Sequence, residues 1–230
     1  MRILALETSG LSGSVALFDD AGAVLHAVGL KPGQRSAQAL APAIQNVLHE
    51  SGWRTGDVEG IAVTAGPGSF TGLRIGVTTA KTLAYALNAS LLGVNSLDVL
   101  AWAVPVSDAR LWAVLDAHRG QLFAAAYRTD SDGRWRREDP TSECSLPTVD
   151  DWLAQLQAGT LVTGPVLARL ANRLPAGVVA VPDELWQLQA ASVAQLASTQ
   201  FAQGRRDDVW NLVPYYGRLS AAEEKQRDAS

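Results

Sequence analysis

The sequence has little cysteine and no long apolar run, and each shortage excludes a class of protein. Its 230 residues include one cysteine, Cys144, which cannot form an internal disulfide or a cysteine metal cluster. No segment approaches the roughly 20 apolar residues of a membrane-spanning helix. The apolar stretch after Arg2 meets Glu7 too early for a secretory signal peptide. We therefore expect a cytoplasmic protein with no membrane partner.

Positive charge and histidine are also scarce. The chain carries 19 Lys and Arg against 23 Asp and Glu, and its only dense basic runs, 134–137 and 205–206, are flanked by acids. Because nucleic-acid affinity rests on clustered Lys and Arg, we expect no direct binding of RNA by the isolated chain. The three histidines, His26, His49 and His118, show no ligand spacing, so no metal site is predicted.

The strand pattern occurs twice along the chain. Residues 2–6 form an apolar run that ends at Glu7 and is followed by a small-residue turn. A similar run at 111–115 ends at Asp116 and also leads into a turn. In both halves two more strands follow, separated by an acidic turn that ends in glycine; these strands are predicted at 14–18, 23–29, 121–127 and 134–138. The shared order predicts an internal duplication.

Helical patterns follow each of the two strand groups. Residues 35–50 carry apolar side chains at the spacing of one helical face, and a second helix is predicted over 69–88. Helices that alternate with strands favour mixed sheets covered by helices. Further helices are predicted at 152–156, 166–174 and 192–203, and further strands at 61–64, 91–94, 161–162 and 178–181. The predicted division is an N-terminal subdomain (1–103), a C-terminal subdomain (104–220) and a polar tail (221–230).

The segment GPGSFTGLRIG, residues 66–76, is the most distinctive motif. It lies at a predicted strand-to-helix junction, where glycine permits positive φ and close approach of a backbone or an anion. Its spacing matches neither the dinucleotide fingerprint nor the P-loop, and it lacks the Gly-x-Ser-x-Gly elbow of hydrolases. Two interpretations stay open: a tight packing loop, which such glycine turns commonly form, or an anion site at the helix start.

Four ordered segments resemble the TsaB (YeaZ) family: ILALETS with SVALF near the start, the glycine motif, LDAHRGQLFAAAY at 115–127, and VPYYGRLSAAEEK at 213–225. The resemblance implies an α/β fold of the ASKHA (actin-like) type, in which an RNase-H-like unit is duplicated to give two mixed-sheet subdomains with flanking helices. TsaB is similar to TsaD, which transfers a threonylcarbamoyl group to adenosine 37 of tRNAs reading codons that begin with A. In that family TsaB binds TsaD as a heterodimer, and TsaE supplies ATPase function.

The resemblance also implies where partners bind. In the family the two helices corresponding to 35–50 and 69–88 pack against their counterparts in TsaD as a four-helix bundle, and the same surface is expected to form a homodimer when the chain is isolated. The expected interface residues, which lie on these two helices, are Ala37, Leu40, Ala41, Ile44, Val47, Leu73, Arg74, Val77, Ala80 and Lys81.

Catalysis is not expected of this chain alone. The TsaD segment LIGVHHLEAH supplies two metal-binding histidines, and Ser96 and Leu100 stand at the corresponding positions here. No catalytic residue, metal or cofactor is therefore assigned, and ATP or ADP is expected only at the interface of a complex. Glu7 and Asp116 end equivalent strands and indicate a vestigial nucleotide site, whose expected members are Glu7, Thr8, Ser9, Gly66, Pro67, Gly68, Ser69, Asp116 and Arg119.

Two alternatives remain for these acids. In the structural one, they accept hydrogen bonds from the turns that follow their strands. In the functional one, the chain is a small ASKHA-type ATPase or phosphotransferase that uses Glu7 and Asp116, since magnesium commonly binds one or two carboxylates plus substrate phosphates.

Overall fold

The computed structural model describes residues 1–30 and 36–217 and contains two five-stranded mixed sheets. The strands of the first sheet are β1 (Ile3–Glu7), β2 (Ser14–Phe18), β3 (Val24–Gly29), β4 (Gly60–Gly66) and β5 (Ser90–Asn95). Their order is β3-β2-β1-β4-β5, with β1, β2 and β3 antiparallel in turn and β1, β4 and β5 parallel. The predicted meander thus occupies one side of the sheet.

The second sheet repeats this plan. Its strands are β6 (Leu111–His118), β7 (Gln121–Thr129), β8 (Trp135–Arg137), β9 (Leu161–Thr163) and β10 (Val179–Ala180), in the order β10-β9-β6-β7-β8. Strands β6, β7 and β8 form an antiparallel meander, and β9 and β10 continue parallel to β6. Read from the meander side, both sheets have their own strands in the order 3-2-1-4-5. The predicted duplication is confirmed.

Within the described part of the chain, six α-helices cover the sheets. They are α1 (Ser36–Ser51), α2 (Phe70–Leu87), α3 (Ser96–Ala103), α4 (Val149–Gln155), α5 (Leu167–Leu170) and α6 (Ala190–Ala202). Three 3-10 turns lie at Thr55–Asp57, Ala171–Arg173 and Asp183–Leu185. Each half therefore places its three helices at the same points in strand order: after its third, fourth and fifth strands.

Three apolar cores hold the layers together. The central core joins both sheets through α3 and α6, with residues such as Ala5, Leu97, Ala113 and Ala194 wholly or almost wholly buried. A second core fills the space between the outer face of the first sheet and α1 and α2. A third lies against the second sheet and α4 and α5, around the fully buried Trp152. Because β1 is buried on both faces, its sequence is continuously apolar up to Glu7.

The structure differs from the sequence predictions at several boundaries. Strand β6 continues through Asp116 to His118 instead of ending before it. No pattern noted above predicts α3, and the helix predicted at 166–174 is divided into α5 and a 3-10 turn. The predicted tail, 221–230, lies outside the described residues. Within 1–30 and 36–217, no helix combines the length and hydropathy of a membrane-spanning segment.

Candidate functional site

Glu7 ends β1 inside the protein and is completely buried. Its Oε1 atom accepts hydrogen bonds from the backbone N–H of Ser9 at 2.7 Å, the Ser9 hydroxyl at 2.5 Å, the Gly10 N–H at 3.1 Å and the Thr64 hydroxyl at 3.3 Å. Its Oε2 atom has no hydrogen-bond partner among the described residues. One carboxyl oxygen is thus heavily bonded while the other is enclosed without a donor.

This environment changes the acidity of Glu7. Burial raises the pKa of its carboxyl to about 7, because a charged carboxylate loses its hydration, and the bonds from Ser9, Gly10 and Thr64 only partly oppose the rise. Around neutral pH the side chain is therefore substantially protonated, which suits its enclosed Oε2 atom better than a full negative charge does.

The glycine motif packs against the two residues that follow Glu7. A Cβ atom added at Gly68 would lie 2.7 Å from the Ser9 carbonyl oxygen, and one at Gly72 would lie 1.8 Å from the Thr8 carbonyl oxygen. At Gly76 it would lie 2.2 Å from the Thr8 hydroxyl. Because the three glycines are spaced by four residues, they present one side of the start of α2 to Thr8 and Ser9.

Hydrogen bonds close the same contact. The Ser69 N–H donates to the Ser9 carbonyl at 2.8 Å, and the Thr8 hydroxyl donates to the Gly72 carbonyl at 2.8 Å. The Ser69 hydroxyl caps α2 by accepting from the Gly72 N–H at 3.3 Å. Two N–H groups that could have held an anion are thus used inside the protein, and the geometry favours the packing interpretation of the motif.

The start of the motif is covered by the end of the described chain. A Cβ at Gly66, which has a φ of +121°, would lie 2.0 Å from the Tyr215 carbonyl oxygen. The Tyr215 N–H donates to the Ala65 carbonyl at 2.7 Å, and Pro67 beside them is buried. Glycine is required at position 66 both for its positive φ and for this close backbone crossing.

Asp116 has a different environment from Glu7. It is exposed on β6, accepts from the His118 N–H at 2.8 Å, and pairs with the Arg169 guanidinium at 3.0 Å. Its neighbour Arg119 also lies on the surface, in a turn with positive φ. Glu7 and Asp116 share none of these partners. The predicted nucleotide-site residues are therefore divided between an enclosed group around Glu7 and an exposed turn at Asp116.

The positions that carry histidines in TsaD are buried here. Ser96 is 0% exposed at the start of α3, and its hydroxyl lies 3.2 Å from the Ser9 hydroxyl. Leu100, one turn further, is 1% exposed in the central core. Their side chains connect α3 to the Glu7 network and to the core.

Most of the predicted interface residues face the protein's own interior. Their side chains are buried in the core between α1, α2 and the first sheet, or at the base of α2: Leu40, Ile44, Val47, Leu73, Val77 and Ala80. The apolar spacing that suggested an interface identifies the core-facing sides of the helices. Any partner of these helices must contact the opposite faces, where Ala41 and Arg74 are exposed and Lys81 is half-buried. The side chain of Ala37 lies outside the described residues.

The outer face of α2 carries a surface that the sequence patterns did not predict. Residues 207–217, here called the C-terminal strap, are held to α2 by Lys81, whose ammonium group donates to the carbonyls of Trp210 at 3.1 Å and Leu212 at 3.0 Å. Near the start of α2 the Arg74 guanidinium lies 4.0 Å from the Phe70 ring centroid and donates to the Tyr216 hydroxyl.

Aromatic pairs extend along the same face. The rings of Phe70 and Tyr216 have centroids 4.7 Å apart, and those of Tyr85 and Trp210 are 5.3 Å apart. Tyr85 and Trp210 are 68% and 71% exposed. Residues 210–216 are rich in aromatic side chains, and this composition was the sequence signal for the surface. Nothing in the sequence indicates that these residues lie against α2. We call Phe70, Arg74, Tyr85, Trp210 and Tyr216 the aromatic face.

Comparison with known proteins is consistent with this architecture. The family model for the tRNA N6-adenosine threonylcarbamoyltransferase TsaD matches residues 29–201. The chain is 30% identical to the tRNA threonylcarbamoyladenosine biosynthesis protein TsaB of Escherichia coli, over 98% of both chains. It is 33% identical to the TsaB of Bacillus subtilis, over 68% of this chain and 66% of that one.

A solved structure described as YeaZ from Pseudomonas aeruginosa has the same fold. Its TM-score with this chain is 0.77 at 26% identity, covering 94% of this chain and 99% of the other. The match extends across both sheets, and the duplicated two-sheet fold predicted from the sequence is confirmed.

Proposed function

This chain belongs to the TsaB (YeaZ) family, and from that membership we propose that it is a non-catalytic scaffold and activating subunit of a TsaD-type transferase. The complex would make N6-threonylcarbamoyladenosine at position 37 of tRNAs that read codons beginning with A. The names of the Escherichia coli and Bacillus subtilis relatives support a role in this modification, and the similarity to the transferase itself supports a partner of the same fold.

The aromatic face is the observation that carries the docking proposal. Trp, Tyr and Arg are the residue types that dominate the binding energy of protein interfaces, and here they are grouped and exposed on one side of α2. Arg74 is fixed between Phe70 and Tyr216, so little side-chain entropy is lost when a partner covers it. The TsaD-type subunit would contact this face together with the outer side of α1.

The buried environments of Ser96, Leu100 and Glu7 support a scaffold instead of a transferase or ATPase. Ser96 and Leu100 have no surface through which to bind a metal, and Glu7 is enclosed by Ser9, Gly10 and Thr64. An ATPase that uses Glu7 and Asp116 would need both carboxylates open to one ligand, whereas only Asp116 is exposed. We therefore prefer docking as the function.

The remaining partner assignments belong to the same proposal. TsaE joins the larger complex, any ATP or ADP binds at the interface of that complex, and the chain works in the cytoplasm without contacting tRNA alone. When the transferase is absent, two copies of this chain pair through the aromatic face, because related folds can use the same patch for an isologous contact.

A charge reversal tests the docking surface. Arg74→Glu should weaken binding to the TsaD subunit of the same organism by tenfold or more, as measured by calorimetry, because it replaces a fixed cation at a grouped aromatic surface. It should also convert an isolated dimer at tens of micromolar to monomer in light scattering.

The matched control is Arg173→Glu, which reverses an exposed arginine in the 3-10 turn after α5 of the second half, where its partner Asp150 is also exposed. The control should bind the TsaD subunit as the unchanged chain does. If Arg74→Glu, with its fold verified by circular dichroism, binds as tightly as the control, the docking proposal is wrong.

A further inference from the structure

A cleft of about 770 Å³ opens at the carboxyl ends of β4 and β5, and its lining includes neither Glu7 nor Asp116. Its lining includes Gly66 and Asn95 from these strand ends, and β8, α6 and the C-terminal strap complete its walls. The carboxyl ends of parallel strands are a common place for ligands in α/β sheets, and this volume falls within the range of small-molecule sites, roughly 300–1,000 Å³.

One wall of the cleft is a closed ion pair. Arg137 is only 12% exposed and donates to Asp98 Oδ1 at 2.6 Å, to the Ser142 carbonyl at 2.8 Å and to the Glu143 carbonyl. The buried Tyr127 hydroxyl donates to the same Asp98 oxygen at 2.7 Å. These bonds occupy the guanidinium and balance its charge, so this wall is rigid and offers no free cation.

Two other arginines of the cleft are not used in this way. Arg134 and Arg205 are exposed, and within the described residues their guanidinium groups make no hydrogen bond or ion pair. The nearby acids are already engaged: Glu143 accepts from the Asn95 amide at 2.8 Å, and Asp207 accepts from the Gly93 N–H at 2.6 Å. The unused binding capacity of the cleft is therefore mainly cationic, although the chain as a whole carries a net charge of −4.

The cleft also offers an aromatic surface. Trp102 of α3 lines it half-buried, and its indole N–H makes no hydrogen bond to the described residues. An indole provides a flat apolar face and one donor, and free guanidinium groups bind phosphate and carboxylate in a bidentate manner. We propose that this cleft is a binding site for a small organic anion, in which a phosphate or carboxylate group is held by Arg134 and Arg205 and a flat apolar body lies against Trp102.

Titration with simple probes tests the site. Phenyl phosphate and phthalate represent the two anion types on a flat ring, inorganic phosphate lacks the ring, and phenol lacks the charge. We expect phenyl phosphate or phthalate to bind with a submillimolar dissociation constant by calorimetry, and to shift the indole N–H resonance of Trp102 in a ¹⁵N spectrum. The change Trp102→Phe assigns that resonance among the seven tryptophans.

Arginine variants then connect the binding to the cleft. Because each guanidinium group would donate charge-assisted hydrogen bonds to the anion, Arg134→Ala and Arg205→Ala should each weaken binding by tenfold or more, and the double variant should abolish it at millimolar probe. Arg173→Ala should leave the affinity unchanged. Which of the two probes binds distinguishes phosphate from carboxylate ligands.

The proposal is overturned if neither aromatic anion binds at 10 mM, a concentration about tenfold above the weakest affinity that we expect. It is also overturned if phenol binds as well as the anions, or if the Arg134→Ala, Arg205→Ala double variant binds them as tightly as the Arg173→Ala control. A resonance shift confined to tryptophans other than Trp102 would place the anion elsewhere and contradict the assignment.

Discussion

The two halves of the molecule share one strand order but treat the end of their first strand in opposite ways. In the first half, Glu7 is completely buried, and the start of α2, an 18-residue helix, packs on Thr8 and Ser9, the two residues that follow it. In the second half, the corresponding helix, α5, has only 4 residues, and Asp116 stays exposed beside the surface residue Arg169. The long helix covers the turn that follows the buried acid and contributes Phe70, Arg74 and Tyr85 to the aromatic face. In the first half the region around the acid is therefore closely packed, which supports the docking role proposed above.

The glycines at the ends of the fourth strands show what the halves retain, since Gly66 is the last residue of β4 and Gly164 directly follows β9. Gly66 in the first half and Gly164 in the second both have positive φ, and a Cβ at either would lie about 2 Å from a backbone carbonyl oxygen, at 2.0 Å and 1.9 Å. The carbonyl belongs to Tyr215 of the C-terminal strap in one case and to Val114 of β6 in the other. Both halves therefore keep a positive-φ glycine at the end of the fourth strand, but a different segment of the chain crosses it in each half.

The largest expected effect comes from comparing Gly72, which packs on the turn after β1, with Gly120, which lies in the turn after β6. Gly72→Ala would drive a methyl group against the Thr8 carbonyl, so we expect a loss of about 3 kcal/mol in the free energy of unfolding. Gly120→Ala, in the turn after β6, meets open space and costs only the positive-φ term, about 1 kcal/mol. Urea unfolding of both variants measures the difference. Equal losses of unfolding free energy in the two variants would contradict the view that a helix packs closely on the turn after β1 but not on the turn after β6.

A comparable effect is expected from pH. The folded protein raises the pKa of Glu7 from 4.5 to about 7, so the folded state holds its proton more tightly than the unfolded state does. The stabilisation is complete below pH 4.5 and is lost as pH rises through about 7. Between pH 5 and 8 the Glu7 contribution should fall by about 2–3 kcal/mol. Urea unfolding across this range measures it.

The matched variant for this test is Glu7→Gln, which mimics the neutral side chain and should remove the pH-dependent part. The difference in unfolding free energy between the original protein and this variant should therefore change with pH by the amount given above. If the difference in unfolding free energy between the two proteins stays constant from pH 5 to 8, burial does not raise the pKa of Glu7 as described.

The smallest effect is expected at Asp116. Asp116→Asn keeps an oxygen for the His118 N–H but removes the exposed ion pair with Arg169, so the free energy of unfolding should fall by less than about 1 kcal/mol. A double-mutant cycle with Arg169→Gln should give a coupling energy within the same limit. A coupling energy of several kcal/mol would mean that the environments of Asp116 and Glu7 differ less than the burial of the two side chains indicates.

Local features of the fold were predictable from the sequence. The meander strands of the first half were predicted to within one residue at each end, because they are bounded by acidic and glycine turns that act over a few positions. The duplication followed from the same local signals. Helix α3 was not predicted because it begins directly after β5, without an intervening turn to mark the boundary.

The site was less predictable because it depends on contacts between distant segments. Leu40, Ile44 and Val47 were expected at an interface because of the family resemblance, while their spacing fits a core-facing helix side equally well. Their packing on the first sheet could not be inferred from that spacing. The pairing of Tyr85 with Trp210 joins residues that are 125 positions apart, as their numbers show. The contrast between Glu7 and Asp116 depends on distant residues, such as Thr64 beside Glu7 and Arg169 beside Asp116, which their local sequences do not reveal.

The central claim is that this chain supports a transferase through the outer side of α2 and not through its two strand-end acids. The direct test is the rate of N6-threonylcarbamoyladenosine formation in a reconstituted reaction with the TsaD and TsaE subunits of the same organism. The double variant Glu7→Gln, Asp116→Asn should keep most of the rate, whereas Arg74→Glu at the same concentration should lose most of it. Loss of the rate in the acid variant, with Arg74→Glu fully active, would contradict the account.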